Sequence, residues 1–308
     1  MKVSPMSRKA LTAPPGPLAD ALAVSLRRGG VELTTEPGLA DAVVWCSTSP
    51  KGLPELLEAA PGCRWVQLPY AGIERFLSLV DTERTWTCAK DVYGRSVAEL
   101  VLGLLVVAFR RLDRYVVSET WAPLPEQTLY GSEITILGGG GIGRSLTRLL
   151  LPLGAGVTVV SRSGAPIDGA TTLPADETKK ALPGADAVVL AVPLTPATTG
   201  LVDRSFLSAM KPSAWLVNVA RGPVVVTDDL VAALTDGTIA GAALDVTDPE
   251  PLPDGHPLWR LDNAIVTPHV ANTPALGTPV LAALVADNAA RFAAGRPLAG
   301  TIDPTAGY

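Results

Sequence analysis

Histidine occurs only twice in the 308 residues, at positions 256 and 269, so a side chain able to pass a proton near neutral pH has few candidates. His256 sits in Asp254-Gly255-His256-Pro257, a turn composition that marks it as structural. His269 instead follows the apolar run 264–267, Arg221 follows a run ending near Ala220, and Glu250 lies in the loop after a run ending at Val246. As strands of one parallel sheet, these runs would bring all three side chains out at the carboxyl edge, where open α/β sheets bind ligands. A 2-oxo acid needs a cation to hold its carboxylate and polarise its carbonyl, and a proton donor for the carbonyl oxygen as hydride arrives. Arginine and histidine meet those needs, and a carboxylate beside the histidine would favour the imidazolium and fix the ring. Each residue also has a structural reading: Arg221 paired with a surface acid, Glu250 solvated in a Pro-rich loop, His269 buried and satisfied.

Hydride needs a carrier, and the stretch ITILGGGGIG at 134–143 offers a place for one. An apolar strand runs into Gly138, Gly140 and Gly143, which satisfy GxGxxG, and an amphipathic helix pattern follows over 144–153. Gly138 suits the dihedrals of the turn, Gly140 lets a pyrophosphate approach the backbone, and Gly143 lets helix and strand pack closely. The anion would lie on the helix N-terminus, among the amides of residues such as Gly141 and Ile142. Alone, the pattern is equally that of an ordinary Gly-rich turn. The next strand, 157–160, ends in Ser161, Arg162 and Ser163 instead of the acid that hydrogen-bonds the ribose 2′-hydroxyl of NAD. An arginine fork between two hydroxyls suits a 2′-phosphate, so NADP(H) is the expected cofactor, with NAD(H) as the lesser possibility. The competing reading makes Arg162 a solvated loop residue.

The elements that must position these groups can be read in part. Before residue 70 a weak alternation predicts helices at 18–26 and 53–60 and strands at 42–45 and 64–68, a small α/β domain. Its first strand is poorly marked, because Pro5, Pro14, Pro15 and Pro17 break the stretch around 2–11. Ser96 with Glu99 three residues on reads as a capping box opening a helix that runs to Phe109 and is apolar all round. Such a helix must be covered on every side, between domains or between subunits. The segment 113–130, with Trp121 and two prolines, reads as a loose arm. Beyond it, strands at 187–192, 214–219, 240–246 and 264–267 alternate with helices at 204–210 and 228–234, the pattern of a parallel sheet covered on both faces. A last helix is expected at 279–294, and no internal repeat is evident.

Composition narrows the classes. The length is comfortable for two domains. A formal net charge of −5, with no basic run, argues against a nucleic-acid partner. Cys46, Cys63 and Cys88 are far apart and odd in number, which supports neither a disulfide framework nor a metal site and fits a reducing, cytoplasmic setting. The N-terminus lacks a signal-peptide core, and the most apolar segment, 97–109, is too short to span a bilayer.

Three long runs carry a resemblance: LAVPLTPATTGLVDRSFLSAMKPSAWLVNVARG (190–222), ALDVTDPEPLPDGHPLW (243–259) and IVTPHVA (265–271). With them the chain resembles the D-isomer-specific 2-hydroxyacid dehydrogenase family from about Glu99 onward, fading over the first forty residues. The resemblance implies two doubly wound parallel-sheet domains, a Rossmann dinucleotide-binding domain (98–274) inserted into a flavodoxin-like substrate domain (1–97 and 275–308). It implies that Arg221 binds substrate, Glu250 partners the histidine, His269 is the acid/base, and Ala71 and Gly72 give backbone amides to the substrate carboxylate. Pro193 and Asp245 are then expected at the cofactor with the glycine turn. Formate dehydrogenases of the family carry glutamine where Glu250 stands, which disfavours that branch. Ser161-Arg162-Ser163 departs from the NAD-using majority and resembles the NADPH-preferring glyoxylate/hydroxypyruvate reductase branch, whose members act on small 2-oxo acids. Members commonly dimerise through the 96–109 region, so a homodimer is expected. A regulatory, dinucleotide-sensing protein on the same fold is the alternative.

Overall fold

The computed structural model describes residues 8–303; of the expected N-terminal proline breaks, Pro5 lies outside them. In chain order, β1 (Lys9–Ala13), α1 (Pro17–Arg28), β2 (Glu32–Leu33), β3 (Ala42–Trp45), α2 (Leu53–Glu58), β4 (Trp65–Gln67) and β5 (Thr85–Thr87) come first. Next are α3 (Gly94–Phe109), α4 (Leu112–Tyr115), β6 (Glu133–Leu137), α5 (Gly141–Leu150), β7 (Gly156–Ser161) and β8 (Thr171–Pro174). Then follow α6 (Thr178–Ala181), β9 (Ala187–Leu190), α7 (Arg204–Ser208), β10 (Trp215–Asn218), α8 (Thr227–Thr235), β11 (Gly241–Leu244), β12 (Ala264–Val266) and α9 (Pro274–Ala293). Two compact units result, Met1–Tyr93 with Pro274–Tyr308, and Gly94–Thr273.

The first unit is built on a parallel sheet of order β2-β1-β3-β4-β5, the flavodoxin-like order. Alternate residues of its strands feed two cores. Val43, Trp45 and Val66 pack with Leu53 and Leu57 of α2, while Ala42, Val44 and Trp65 pack with Leu22 and Leu26 of α1 and Leu281, Val285 and Ala289 of α9. The chain returns to this unit through a buried polar network as well as through packing. Asn288 of α9 donates to Gln67 Oε1 (3.1 Å) and to the Ala299 carbonyl (3.0 Å), and Thr87 Oγ1 donates to Gln67 Oε1 (2.8 Å) while accepting from Trp65 Nε1 (2.8 Å). Each member is satisfied, as burial demands.

The second unit carries a parallel sheet of order β12-β11-β10-β9-β6-β7-β8. From β8 this is the doubly wound 3-2-1-4-5-6 order with one further strand, and its switch point lies between β6 and β9. The four central strands β6, β9, β10 and β11 bury nearly every residue, in keeping with a sheet covered on both faces.

Two sequence expectations are corrected. The helix expected to open at Ser96 begins at Gly94, so Ser96 is a helical residue and no cap; its Oγ donates to Asn272 Oδ1 at 3.3 Å. That helix is covered on one side within the chain: Val97, Val101, Leu104, Leu105 and Ala108 are buried, while Gly103 and Val106 are exposed. The last helix opens at Pro274 and keeps Pro279 inside it, where the buried stripe Leu281, Val285 and Ala289 outweighs one lost backbone hydrogen bond. Cys46, Cys63 and Cys88 are free thiols; burial pushes Cys46 up to about 12 and Cys88 to about 11. No cluster of metal-ligating side chains, and no helix long and apolar enough to cross a membrane, occurs among the described residues.

Candidate active site

Arg221, Glu250 and His269 follow β10, β11 and β12, three adjacent parallel strands, and therefore share the carboxyl edge of one sheet. The segment after β12 is the most constrained. His269 has φ +53°, a left-handed conformation that a residue with a Cβ adopts only when its surroundings impose it. The surroundings here are Asp245, 2% exposed at the end of β11. Its Oδ1 accepts from Thr267 Oγ1 (2.6 Å) and the Val270 amide (2.9 Å), its Oδ2 from the Ala271 amide (3.0 Å), and its backbone carbonyl from the His269 amide (2.9 Å). One buried carboxylate thus grips both sides of the histidine.

The imidazole is fixed from its other end. Glu250 Oε1 lies 2.7 Å from His269 Nδ1, and the pair is about half exposed. With Nδ1–H donating to the carboxylate, Nε2 is left for a ligand. The segment entering Glu250 is tied twice, by Thr247 Oγ1 donating to the Pro249 carbonyl (2.8 Å) and by Thr227 Oγ1 donating to the Asp248 carbonyl (2.7 Å). Arg221 is half-buried, with Nη1 on the Ala220 carbonyl (2.7 Å), and Asn218 clamps its turn by donating to the Arg221 carbonyl and accepting from the Ala220 amide. His256 is structural as expected: its Nδ1 accepts from the Leu258 amide.

The glycine turn leaves β6 at the switch point. Gly138 has φ +122°, and a Cβ there would stand 2.2 Å from the Ala191 carbonyl oxygen; a Cβ on Gly143 would stand 2.0 Å from the Gly138 carbonyl oxygen. Only glycine fits either place. Gly140 caps α5 with no side chain, and Gly141 and Ile142 are its first two residues, so the helix N-terminus meets the turn with backbone alone, the form a pyrophosphate requires. Ser161 ends β7 beside this turn, followed by exposed Arg162 and Ser163. Pro193 follows β9, its carbonyl accepting from Thr198 Oγ1. Ala71 and Gly72 follow β4 in the first unit, in a loop held by Tyr93, whose hydroxyl donates to the Pro69 carbonyl (2.7 Å). The residues present fit a dinucleotide.

Sequence reasoning placed Asp245 at the cofactor and missed its hold on the 267–271 segment. Its only signal was a charged residue closing an apolar strand. Replacing it with asparagine puts an NH2 group opposite one backbone N–H donor, so Asp245→Asn should cost about 1–3 kcal/mol of stability. Urea unfolding checks this, and a variant within about 0.5 kcal/mol of the parent would show the clamp to be unimportant.

Comparison with known proteins finds relatives along most of the chain. Residues 100–271 match the family model described as D-isomer specific 2-hydroxyacid dehydrogenase, NAD binding domain. A Corynebacterium melassecola protein described as "Uncharacterized protein in proB 3'region" is 40% identical over 91% of this chain and 94% of its own length. Glyoxylate/hydroxypyruvate reductase A of Serratia proteamaculans is 36% identical over 70% of this chain and 69% of its own. Among solved structures, a D-isomer specific 2-hydroxyacid dehydrogenase from Xanthobacter autotrophicus Py2, in complex with NADPH and MES, superposes with a TM-score of 0.86 at 27% identity, covering 98% of this chain and 100% of the other. The glycine turn at the switch point and the histidine–carboxylate pair on the same sheet edge are the parts of an oxidoreductase, and the chain belongs to the D-isomer specific 2-hydroxyacid dehydrogenase family.

Proposed function

We propose that this protein reduces a small 2-oxo acid of the glyoxylate/hydroxypyruvate type to the D-2-hydroxy acid with NADPH. The observation that carries this reading is the 2.7 Å contact between His269 Nδ1 and Glu250 Oε1 on a sheet edge shared with the glycine turn. Bound NADPH supplies the hydride that adds to the carbonyl carbon. Arg221 pairs with the substrate carboxylate and draws electron density toward the carbonyl oxygen. His269, protonated at both ring nitrogens, gives its Nε2 proton to that oxygen, so that C=O becomes CH–OH and the imidazole is left neutral. Glu250 keeps the ring oriented through its contact with Nδ1. Ala71 and Gly72 offer backbone amides to the substrate carboxylate.

The cofactor site comprises Gly138, Gly140, Gly141, Ile142 and Gly143 at the pyrophosphate, with Pro193 and Asp245 further along the same edge. Ser161, Arg162 and Ser163 receive the 2′-phosphate. An acid in that turn would repel the phosphate, and none is present. The NADPH complex of the Xanthobacter relative supports this choice, while NAD(H) remains a weaker alternative substrate for the same turn. The regulatory, dinucleotide-sensing alternative finds no support among the named relatives. Three free cysteines support a cytoplasmic setting.

A homodimer is part of the same reading. Val106 on the outer face of α3 is 37% exposed, and the arm beyond α4 presents Val116, Val117 and Trp121 at 81, 70 and 105% exposure. Exposed apolar side chains of this kind mark a contact surface, and a second copy of the chain covers it by two-fold symmetry. Sedimentation at micromolar concentration should give the mass of two chains; a monomer would contradict the assignment.

The chemistry is tested by substitution at the histidine and its partner. His269→Ala should lower kcat by on the order of 10²–10⁴ while leaving NADPH binding, followed by fluorescence, within about twofold of the parent. Glu250→Gln still accepts from Nδ1–H but loses the charge, so its rate should fall by less. A His269→Ala variant that turns over near the parental rate would remove the proposed proton donor.

A further inference from the structure

The glycine turn carries a cation that neither GxGxxG nor the β7 end accounts for. Arg144 is the fourth residue of α5, and its Nε donates to the Gly139 carbonyl at 3.1 Å. Side chains on a helix lean toward its N-terminus, and this contact draws the guanidinium back over the turn. Gly139 in turn lies against the end of β7: a Cβ built on it would stand 3.1 Å from Ser161 Cβ and 3.4 Å from Ser161 Oγ. The two segments are also bonded, the Gly138 amide donating to the Val160 carbonyl at 2.8 Å. The head of Arg144 is therefore anchored to the residue that touches Ser161, immediately before Arg162.

Arg144 is exposed, and no carboxylate pairs with it among the described residues. A guanidinium has five N–H donors, and one of them meets Gly139. Gly139 has no side chain, and a Cβ there would meet Ser161 and Ile167, so only backbone separates the arginine from the serine turn.

We infer that Arg144 is a second specificity-determining cation of this enzyme, which faces Arg162 across the Gly139–Ser161 contact and shares the 2′-phosphate of NADPH with it. The inference rests on the NADPH reading above. A phosphate monoester carries a charge of about −1.5 to −2 near neutral pH, more than one guanidinium balances. NADH presents a hydroxyl at that place and gives Arg144 no charge to meet. A role at the pyrophosphate would instead serve both cofactors equally, and so the two assignments predict different results.

The test compares the parent, Arg144→Ala, Arg162→Ala and the double variant. Dissociation constants are measured for NADPH and NADH by fluorescence, and for adenosine 2′,5′-bisphosphate, a fragment lacking nicotinamide and pyrophosphate, by calorimetry. Arg144→Ala should weaken NADPH and the bisphosphate by about three- to tenfold and leave NADH within about twofold, the modest size reflecting an exposed charge. It should also flatten the salt dependence of NADPH binding. Unchanged binding of the bisphosphate, or equal losses for NADPH and NADH, would overturn the role of Arg144. The NADPH reading is judged separately: if the parent binds NADH as tightly as NADPH and Arg162→Ala leaves their ratio unchanged, that reading fails and Arg144 falls with it. If only Arg162→Ala alters the ratio, the reading stands and Arg144 is excluded.

Discussion

One buried carboxylate holds the reactive edge of this protein together. Asp245 closes β11 and accepts hydrogen bonds from Thr267, Val270 and Ala271 on the next strand's exit, while its own carbonyl takes the His269 amide. A backbone with φ +53° at His269 would otherwise relax, since strained conformations of this kind persist only where several contacts over-determine them. Here charge-assisted bonds to a desolvated carboxylate supply that constraint. The histidine is thus aimed from beneath by Asp245 and from the side by Glu250. This is preorganisation in the ordinary sense: the orienting cost is met on folding, so little remains to be met when substrate arrives.

The parallel sheet makes this local device useful. Because β10, β11 and β12 are neighbours running the same way, an arginine, a glutamate and a histidine separated widely in sequence emerge along one edge. The glycine turn leaves the same edge at the switch point, where β9 and β7 flank β6. Hydride donor and proton donor belong on the same edge for the chemistry proposed, and strand order alone puts them there. The turn itself admits no freedom: Gly143 touches the Gly138 carbonyl, and Gly138 touches Ala191.

Much of this is legible in the sequence because central strands and phosphate turns obey short-range rules. The apolar runs that become β3, β6, β9, β10 and β11 are buried on both faces, so each residue reports its environment. Edge strands do not. β2 has two residues, β5 three, and β8 four ending in proline, too few for any period to show, and they are strands because of their neighbours. The Ser96 reading failed for a related reason: a capping box is a local pattern, whereas the helix starts where Gly94 can lie against the backbone of Gly141. The positive φ of His269 and the clamp from Asp245 join residues 24 apart across two strands, and nothing in either stretch alone announces them. Arg144 was invisible as well, since its direction is known only once Gly139 and Ser161 are seen in contact.

The central claim is that this edge reduces 2-oxo acids with NADPH, and it is met most directly by following nicotinamide absorbance with a panel of 2-oxo acids and determining the configuration of the product. Saturable oxidation of NADPH with glyoxylate or hydroxypyruvate, slower with NADH, and D-glycerate as the product from hydroxypyruvate is the predicted result. A protein that binds NADPH yet oxidises it with no member of the panel, or that forms the L-hydroxy acid, would contradict the account.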